Sequence, residues 1–225
     1  MRTVKRTIAA FDFDGTLTTR DTLPLFIIHA KGWRCFMSGM IRLTPMLCGY
    51  LLGIIPNSEA KQRLFAHFFR GMPYKDFCFY GNTFSDKTEK ILSSKGISLL
   101  KQHLEQGHSV CIVSASIKEW IQPWANRYGV DKVIATQVET DENGMLTGRF
   151  LSPNCNGKEK VRRLLEEEPD RENYYLYAYG DSKGDIPLLE FADKGIMTMR
   201  TLLRVSAPGG PCAWPGAPGA GGSCP

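Results

Sequence analysis

Ile8-Ala-Ala-Phe11-Asp12-Phe13-Asp14-Gly15-Thr16 is the stretch on which the reading of the whole chain turns. A short apolar run that stops at an Asp-rich, Gly-containing loop predicts a buried strand handing a turn to the surface of a sheet. Asp12 and Asp14, spaced i and i+2 around an apolar residue, can face one site while Phe11 and Phe13 pack behind them. Carboxylates held that close repel one another unless a cation or a proton compensates. A hard, oxygen-seeking Mg²⁺ would do so.

Working outward, three further apolar runs end on polar residues. Val110–Val113 stops at Ser114, Val133–Val138 precedes a hairpin-like Asp141-Glu-Asn-Gly144 turn, and Tyr174–Tyr179 stops at Gly180-Asp181. Helical periodicity fills the gaps, over Thr88–Gln106, Ile117–Tyr128, Lys158–Glu168 and Ile186–Ala192. Strands alternating with helices of this length predict an α/β fold, a parallel sheet covered on both faces and joined by right-handed crossovers. Ligands in such sheets sit at the carboxyl ends of the strands, where these polar residues fall.

Gly180-Asp181-Ser-Lys-Gly-Asp185 is the second chemically loaded element. From this composition a DxDGT string is expected by chance in roughly three of a thousand such chains and a GDxxxD string in about one of twenty. Asp181 can complete a carboxylate set for a metal. Asp185, a helical turn later, can hold a metal-bound water or a loop amide, or cap the helix that begins near Ile186. Ser114, in Val113-Ser-Ala-Ser116, offers a hydroxyl beside free backbone N–H groups, a natural phosphate cradle. Ser116 reads as a phosphate neighbour or a helix cap. Lys158, in Asn156-Gly-Lys-Glu-Lys160, opens a helix where a lysine opposes the macrodipole, which makes sense if its ammonium reaches an anion. Lys160 is the fallback of the pair.

Residues 21–87 interrupt the alternation with helical periodicity and no convincing strand, predicting an inserted all-helical domain. Charge is concentrated there: Arg20–Tyr80 holds eight basic and three acidic residues, which accounts for the whole net charge of +5. An anionic partner or merely solvated helix faces would explain it. Nucleic acid is the weaker candidate and is not expected as a partner, since the basic residues are dispersed and no recognisable nucleic-acid motif is present. Cys35–Ile55 is the most apolar part, with 14 apolar residues of 21 and Arg42 its sole charge. A buried pair of helices is the first expectation. Interfacial membrane contact and a true span are the alternatives, the latter opposed by Pro45, three glycines and the central Arg42.

Seven cysteines, with no CxxC pair and no zinc-like spacing, predict a reducing, cytoplasmic setting, with peripheral membrane association as the variant. The apolar run after the basic N-terminus is too short for a secretory signal. Ser206–Pro225 contains six Gly, five Pro and four Ala without a charge, a composition expected to be disordered.

In the order DxDGT, Ser, Lys, GDxxxD, the chain resembles the haloacid dehalogenase (HAD) superfamily, and within it the phosphoserine-phosphatase-like branch, over residues 7 to about 199. The resemblance implies a Rossmann-like core over 1–20 and 88–204, a helical cap over 21–87, and a tail over 205–225 outside the pattern. It implies a Mg²⁺-dependent phosphatase working through an aspartyl-phosphate. Asp12 would be the nucleophile, Asp14 the general acid and base, Ser114 and Lys158 the phosphate ligands. Asp12, Asp14 through its carbonyl, Asp181 and Asp185 would serve the metal. Asp21 lies where that branch holds a substrate's amino group, though it can equally cap the first cap helix. The apolar cap resembles those of branch members acting on phosphatidylglycerophosphate, so a small phosphorylated metabolite and an amphiphilic phosphate both stand as substrates. A receiver-like phospho-acceptor would lack the large insertion and the late GDxxxD. An inactive scaffold would have lost at least one of Asp12, Asp14, Lys158 or Asp181.

Overall fold

The computed structural model describes residues 6–130 and 132–198. Its centre is β1, Arg6–Phe11, whose Ile8, Ala9, Ala10 and Phe11 are buried. Phe13–Leu17 then coils into one wide turn closed by Thr18 N–H on the Phe13 carbonyl at 2.9 Å. Gly15 sits in that turn at φ 85°, a left-handed conformation that favours glycine.

Five helices follow before the next core strand: α1 (Thr22–Lys31), α2 (Trp33–Arg42), α3 (Thr44–Leu51), α4 (Asn57–Phe69) and α5 (Tyr74–Thr88). Next come α6 (Ser94–Glu105), β2 (Ser109–Ile117), α7 (Lys118–Arg127) and β3 (Lys132–Thr136). A hairpin of β4 (Val138–Thr140) and β5 (Leu146–Phe150) precedes α8 (Lys158–Glu167), β6 (Tyr174–Gly180), α9 (Ile186–Phe191) and β7 (Lys194–Met197). The five-stranded sheet runs β3-β2-β1-β6-β7 with every pair parallel. This is the doubly covered α/β sheet expected from the sequence.

Because side chains alternate along a strand, β1 feeds two different cores. Ile8 and Ala10 pack with Val113, Leu176 and Leu164 beneath α8 and α9. Ala9 and Phe11 face the other way, into a cluster that continues without a break into the inserted helices. Phe26 of α1 is the hinge of that continuity: it stacks on Trp120 of α7 at 4.4 Å and meets Phe69, Phe77 and Phe84 edge-on or tilted within 5.5 Å. Aromatic pairs in these geometries add roughly 0.5–1.5 kcal/mol each to plain burial.

Several expectations are corrected. The single helix over Thr88–Gln106 is two elements: α5 ends at Thr88, a tight turn spans Glu89–Ile91, and α6 starts afresh with Ser93 accepting from Gly96 N–H at 3.2 Å. Leu92 is extended there and forms an antiparallel bridge with Thr18. The strand over Val133–Val138 breaks at Gln137, and Val138 pairs antiparallel with Phe150. β2 runs on to Ile117, beyond the Val113 end expected. β7 is a fifth core strand that the sequence did not announce. Cys35–Ile55 is no buried pair: α2 and α3 are joined at Leu43, Pro45 opens α3, and Ile41, Leu51, Leu52 and Ile54 stand exposed. Among the described residues no helix is long and apolar enough to cross a membrane. The tail expected over 205–225 lies outside the described residues.

Candidate active site

The carboxyl ends of β1, β2 and β6 meet the inner side of α1, α3 and α4 around a cavity of about 400 Å³. β1 delivers Asp12, fixed by its N–H on the Tyr179 carbonyl at 2.9 Å and buried to 6% exposure. The Asp12 carboxylate receives the Lys160 ammonium at 2.6 Å, and the same ammonium reaches Asp185 at 2.5 Å. All three side chains are buried.

Lys160 therefore occupies the place expected for Lys158, which is exposed. Helical phase decides this: Lys160, Arg163 and Leu164 share the buried stripe of α8, and Lys158 falls outside it. The sequence offered only half of this signal: Lys160 lies four residues before the apolar Leu164, but Lys158 lies three before Val161.

Asp14 lines the same cavity but has hydrogen-bond partners of its own. Oδ1 accepts the Thr22 N–H at 3.0 Å, and Oδ2 accepts the Ser116 hydroxyl. Asp14 thus caps α1, the task that Asp21 occupies by position; Asp21 makes no capping hydrogen bond and instead lines the cavity. Ser116 is not a helix cap either, because β2 continues past it. Ser114 lines the cavity floor, its Oγ accepting the Ser116 N–H at 3.1 Å.

β6 ends at Gly180, where a Cβ would lie 2.3 Å from the Asp185 Cβ. That glycine lets the following loop fold back so that Asp185 Oδ2 accepts Asp181 N–H, Ser182 N–H and Ser182 Oγ at 3.1, 2.9 and 2.7 Å. Asp185 is thereby an organiser of the loop, and makes no side-chain cap on α9. Asp12, Asp181 and Asp185 place carboxylate oxygens within 4.8 Å of one another.

Lys61 is the residue that sequence reasoning missed. It projects from α4 into the cavity and donates to the Ala115 carbonyl. It stands one turn before Leu64 and Phe65 on the inward stripe, and only the docking of α4 over β2 makes that stripe part of a site.

The electrostatics follow from burial. Desolvation drives the Asp12 carboxyl up to about 7 despite Lys160, with Asp185 pushing the same way. Burial also raises the Asp14 carboxyl above the usual carboxylate range, against the hydrogen bonds from Ser116 and Thr22. Desolvation alone would lower Lys160, but Asp12 and Asp185 outweigh it and hold the ammonium charged. Asp185 is held below its ordinary value because Lys160 outweighs its own burial. Burial lowers Lys61 to about 8. Five aspartates and two lysines line the cavity, so the wall carries excess negative charge. Such a wall, rich in hard oxygen donors, fits a divalent cation of the Mg²⁺ kind.

A haloacid dehalogenase-like hydrolase pattern matches residues 9–190. Protein CicA of Caulobacter vibrioides is 31% identical over 189 residues, covering 83% of each chain. A crystal structure of a protein of unknown function from Bordetella pertussis Tohama I superposes with a TM-score of 0.72 at 23% identity, covering 84% of this chain and 88% of that one. A phospho-aspartyl intermediate analogue of phosphoserine phosphatase shares the fold, with a TM-score of 0.56 at 18% identity over 84% of each chain.

Proposed function

The chain belongs to the haloacid dehalogenase-like hydrolase family, and we propose that it is a phosphatase that hydrolyses a phosphomonoester through a phosphoryl group carried on Asp12. One observation carries this reading: a buried carboxylate paired with a buried lysine, beside a second carboxylate whose hydrogen bonds turn it to a different task.

Attack by a carboxylate on an anionic phosphate needs positive charge nearby. Lys160 supplies one charge, and Asp185 keeps its ammonium aimed at Asp12. Asp12 and Asp181, with the Asp14 carbonyl, are the groups we assign to Mg²⁺, with Asp185 orienting the loop behind them. Mg²⁺ bound there would offset the repulsion between carboxylate and phosphate. The Ser114 hydroxyl and the backbone N–H groups around it are assigned to the phosphate oxygens.

In the first step an Asp12 Oδ forms a bond to phosphorus, the bond from phosphorus to the ester oxygen breaks, and Asp14 gives its proton to the departing alkoxide. The carboxyl of Asp14, raised by burial, is suited to hold that proton beforehand. In the second step Asp14, now ionised, takes a proton from water as the water oxygen attacks phosphorus, and Asp12 leaves as a free carboxylate with release of inorganic phosphate.

Lys61 and Asp21, both at the cavity wall, are assigned to the body of the substrate beyond its phosphate. Leu23, Leu47, Tyr50 and Leu64 line the same wall and favour a partly apolar body, so an amphiphilic phosphate is the second reading. Asp12→Asn tests the main one: hydrolysis of p-nitrophenyl phosphate in Mg²⁺ is expected to fall by at least about 10³-fold while the melting temperature holds or rises, since a desolvated charge is removed. Turnover within tenfold of the parent would exclude Asp12 as nucleophile.

A further inference from the structure

Among the described residues, the four most exposed large apolar side chains, Ile41, Leu51, Leu52 and Ile54, fall in one segment and do not line the cavity. Trp33 is 60% exposed, Ile41 70%, Leu51 80%, Leu52 76% and Ile54 73%. On α2, Trp33, Met37 and Ile41 recur every four residues and form a single stripe. Beside it runs a second stripe at the same spacing, Arg34, Ser38 and Arg42, also exposed. The opposite side is anchored: Gly39 is buried so tightly against Phe68 of α4 that a Cβ would lie 2.3 Å from the ring. The helix is therefore held with its apolar and basic stripes outward. Contiguous apolar surface of this kind marks an interaction site.

Charge chooses the partner. From Thr22 to Ser58 there is no Asp or Glu, while Lys31, Arg34 and Arg42 are present. A tryptophan, aliphatic side chains and flanking arginines on a helix too short to span are the ingredients of interfacial membrane binding. We propose that α2, together with Leu51 at the end of α3 and Leu52 and Ile54 in the connection to α4, docks on an anionic lipid surface. The inference goes beyond the hydrolytic reading and does not depend on it. α3 supplies Leu47 and Tyr50 to the cavity wall, so a docked molecule would hold its cavity next to the lipid headgroups.

The test uses the full chain in EDTA, where no turnover enters the readout. It is sedimented with vesicles of phosphatidylcholine alone and of phosphatidylcholine with phosphatidylglycerol, at about 0.1 M and about 0.5 M salt. Binding to the anionic vesicles, weakened by salt, is expected. Arg34→Gln with Arg42→Gln is expected to weaken it by about 25-fold, from about fivefold per basic residue near such a surface. Ile41→Asp with Leu52→Asp is expected to abolish it with p-nitrophenyl phosphate turnover unchanged, which separates a lost surface from a lost fold. No binding, equal binding to both vesicle types, or wild-type binding by the aspartate variant would overturn the proposal. So would a dimer in sedimentation velocity that the aspartate variant dissolves without any vesicle binding, since a second copy would then be the occupant.

Discussion

Replacing Lys160 by Met keeps most of the side-chain volume and removes one charge, leaving Asp12 and Asp185 facing each other in a buried site. Breaking a buried pair by deleting one partner costs about 3–5 kcal/mol, because the remaining charge is stranded in low dielectric. At about 2–4 °C per kcal/mol for a chain of this size, the melting temperature should drop by roughly 6–20 °C at pH 8 in EDTA. The sign of the pH dependence follows from the groups involved. Lys160 is raised above its ordinary value, so its contribution is complete below about 10 and is lost only as pH rises through the folded value. In the variant the two carboxyls are raised above their unfolded values near 4, so the folded state binds more protons than the unfolded chain and stability falls with rising pH. The gap between parent and variant should thus be widest near pH 8 and narrow toward pH 5. Lys158→Met, at an exposed position, should move stability by less than about 0.5 kcal/mol. Circular dichroism melts across pH 5–8 supply the comparison. A Lys160→Met melting temperature within about 2 °C of the parent at pH 8, or a larger loss for Lys158→Met, would refute the assignment of the buried ammonium.

Two further perturbations probe the same site. Saturating Mg²⁺ at about a hundred times its dissociation constant should stabilise the folded chain by about 2.7 kcal/mol, and Asp181→Asn should erase most of that gain without lowering the melting temperature in EDTA; an undiminished Mg²⁺ shift would remove Asp181 from the metal site. Gly180→Ala forces its new methyl against Asp185, and should cost about 1–3 kcal/mol and roughly 10²-fold in p-nitrophenyl phosphate turnover through misplacement of Lys160. Turnover within twofold of the parent would mean that the close packing of Gly180 on Asp185 has no bearing on the site.

The residues that face the cavity divide according to the range of the information that places them. Asp12, Ser114 and Asp181 were legible because each follows an apolar run directly, and a strand end in a parallel sheet fixes where the next side chain goes. Lys160 was half legible: its helix was clear, but choosing it over Lys158 required the phase of α8 against the sheet. Lys61 was not legible, because nothing near it in the chain says that α4 lies over the end of β2, and it meets the Ala115 carbonyl across 54 residues.

By itself the amino-acid sequence determined the alternation of strand and helix, the helical insertion after the first strand, and the carboxylates at the strand ends. These are short-range matters of apolar period and loop chemistry, settled within a dozen residues. Only tertiary structure decided that Asp14 caps α1 in place of Asp21, that one lysine joins two carboxylates 148 and 25 residues away, and that the α2 stripe faces outward. Those outcomes depend on how helices rotate and dock to bury their aromatic residues. Docking of that kind is a property of the assembled surfaces, and no local stretch of the chain encodes it.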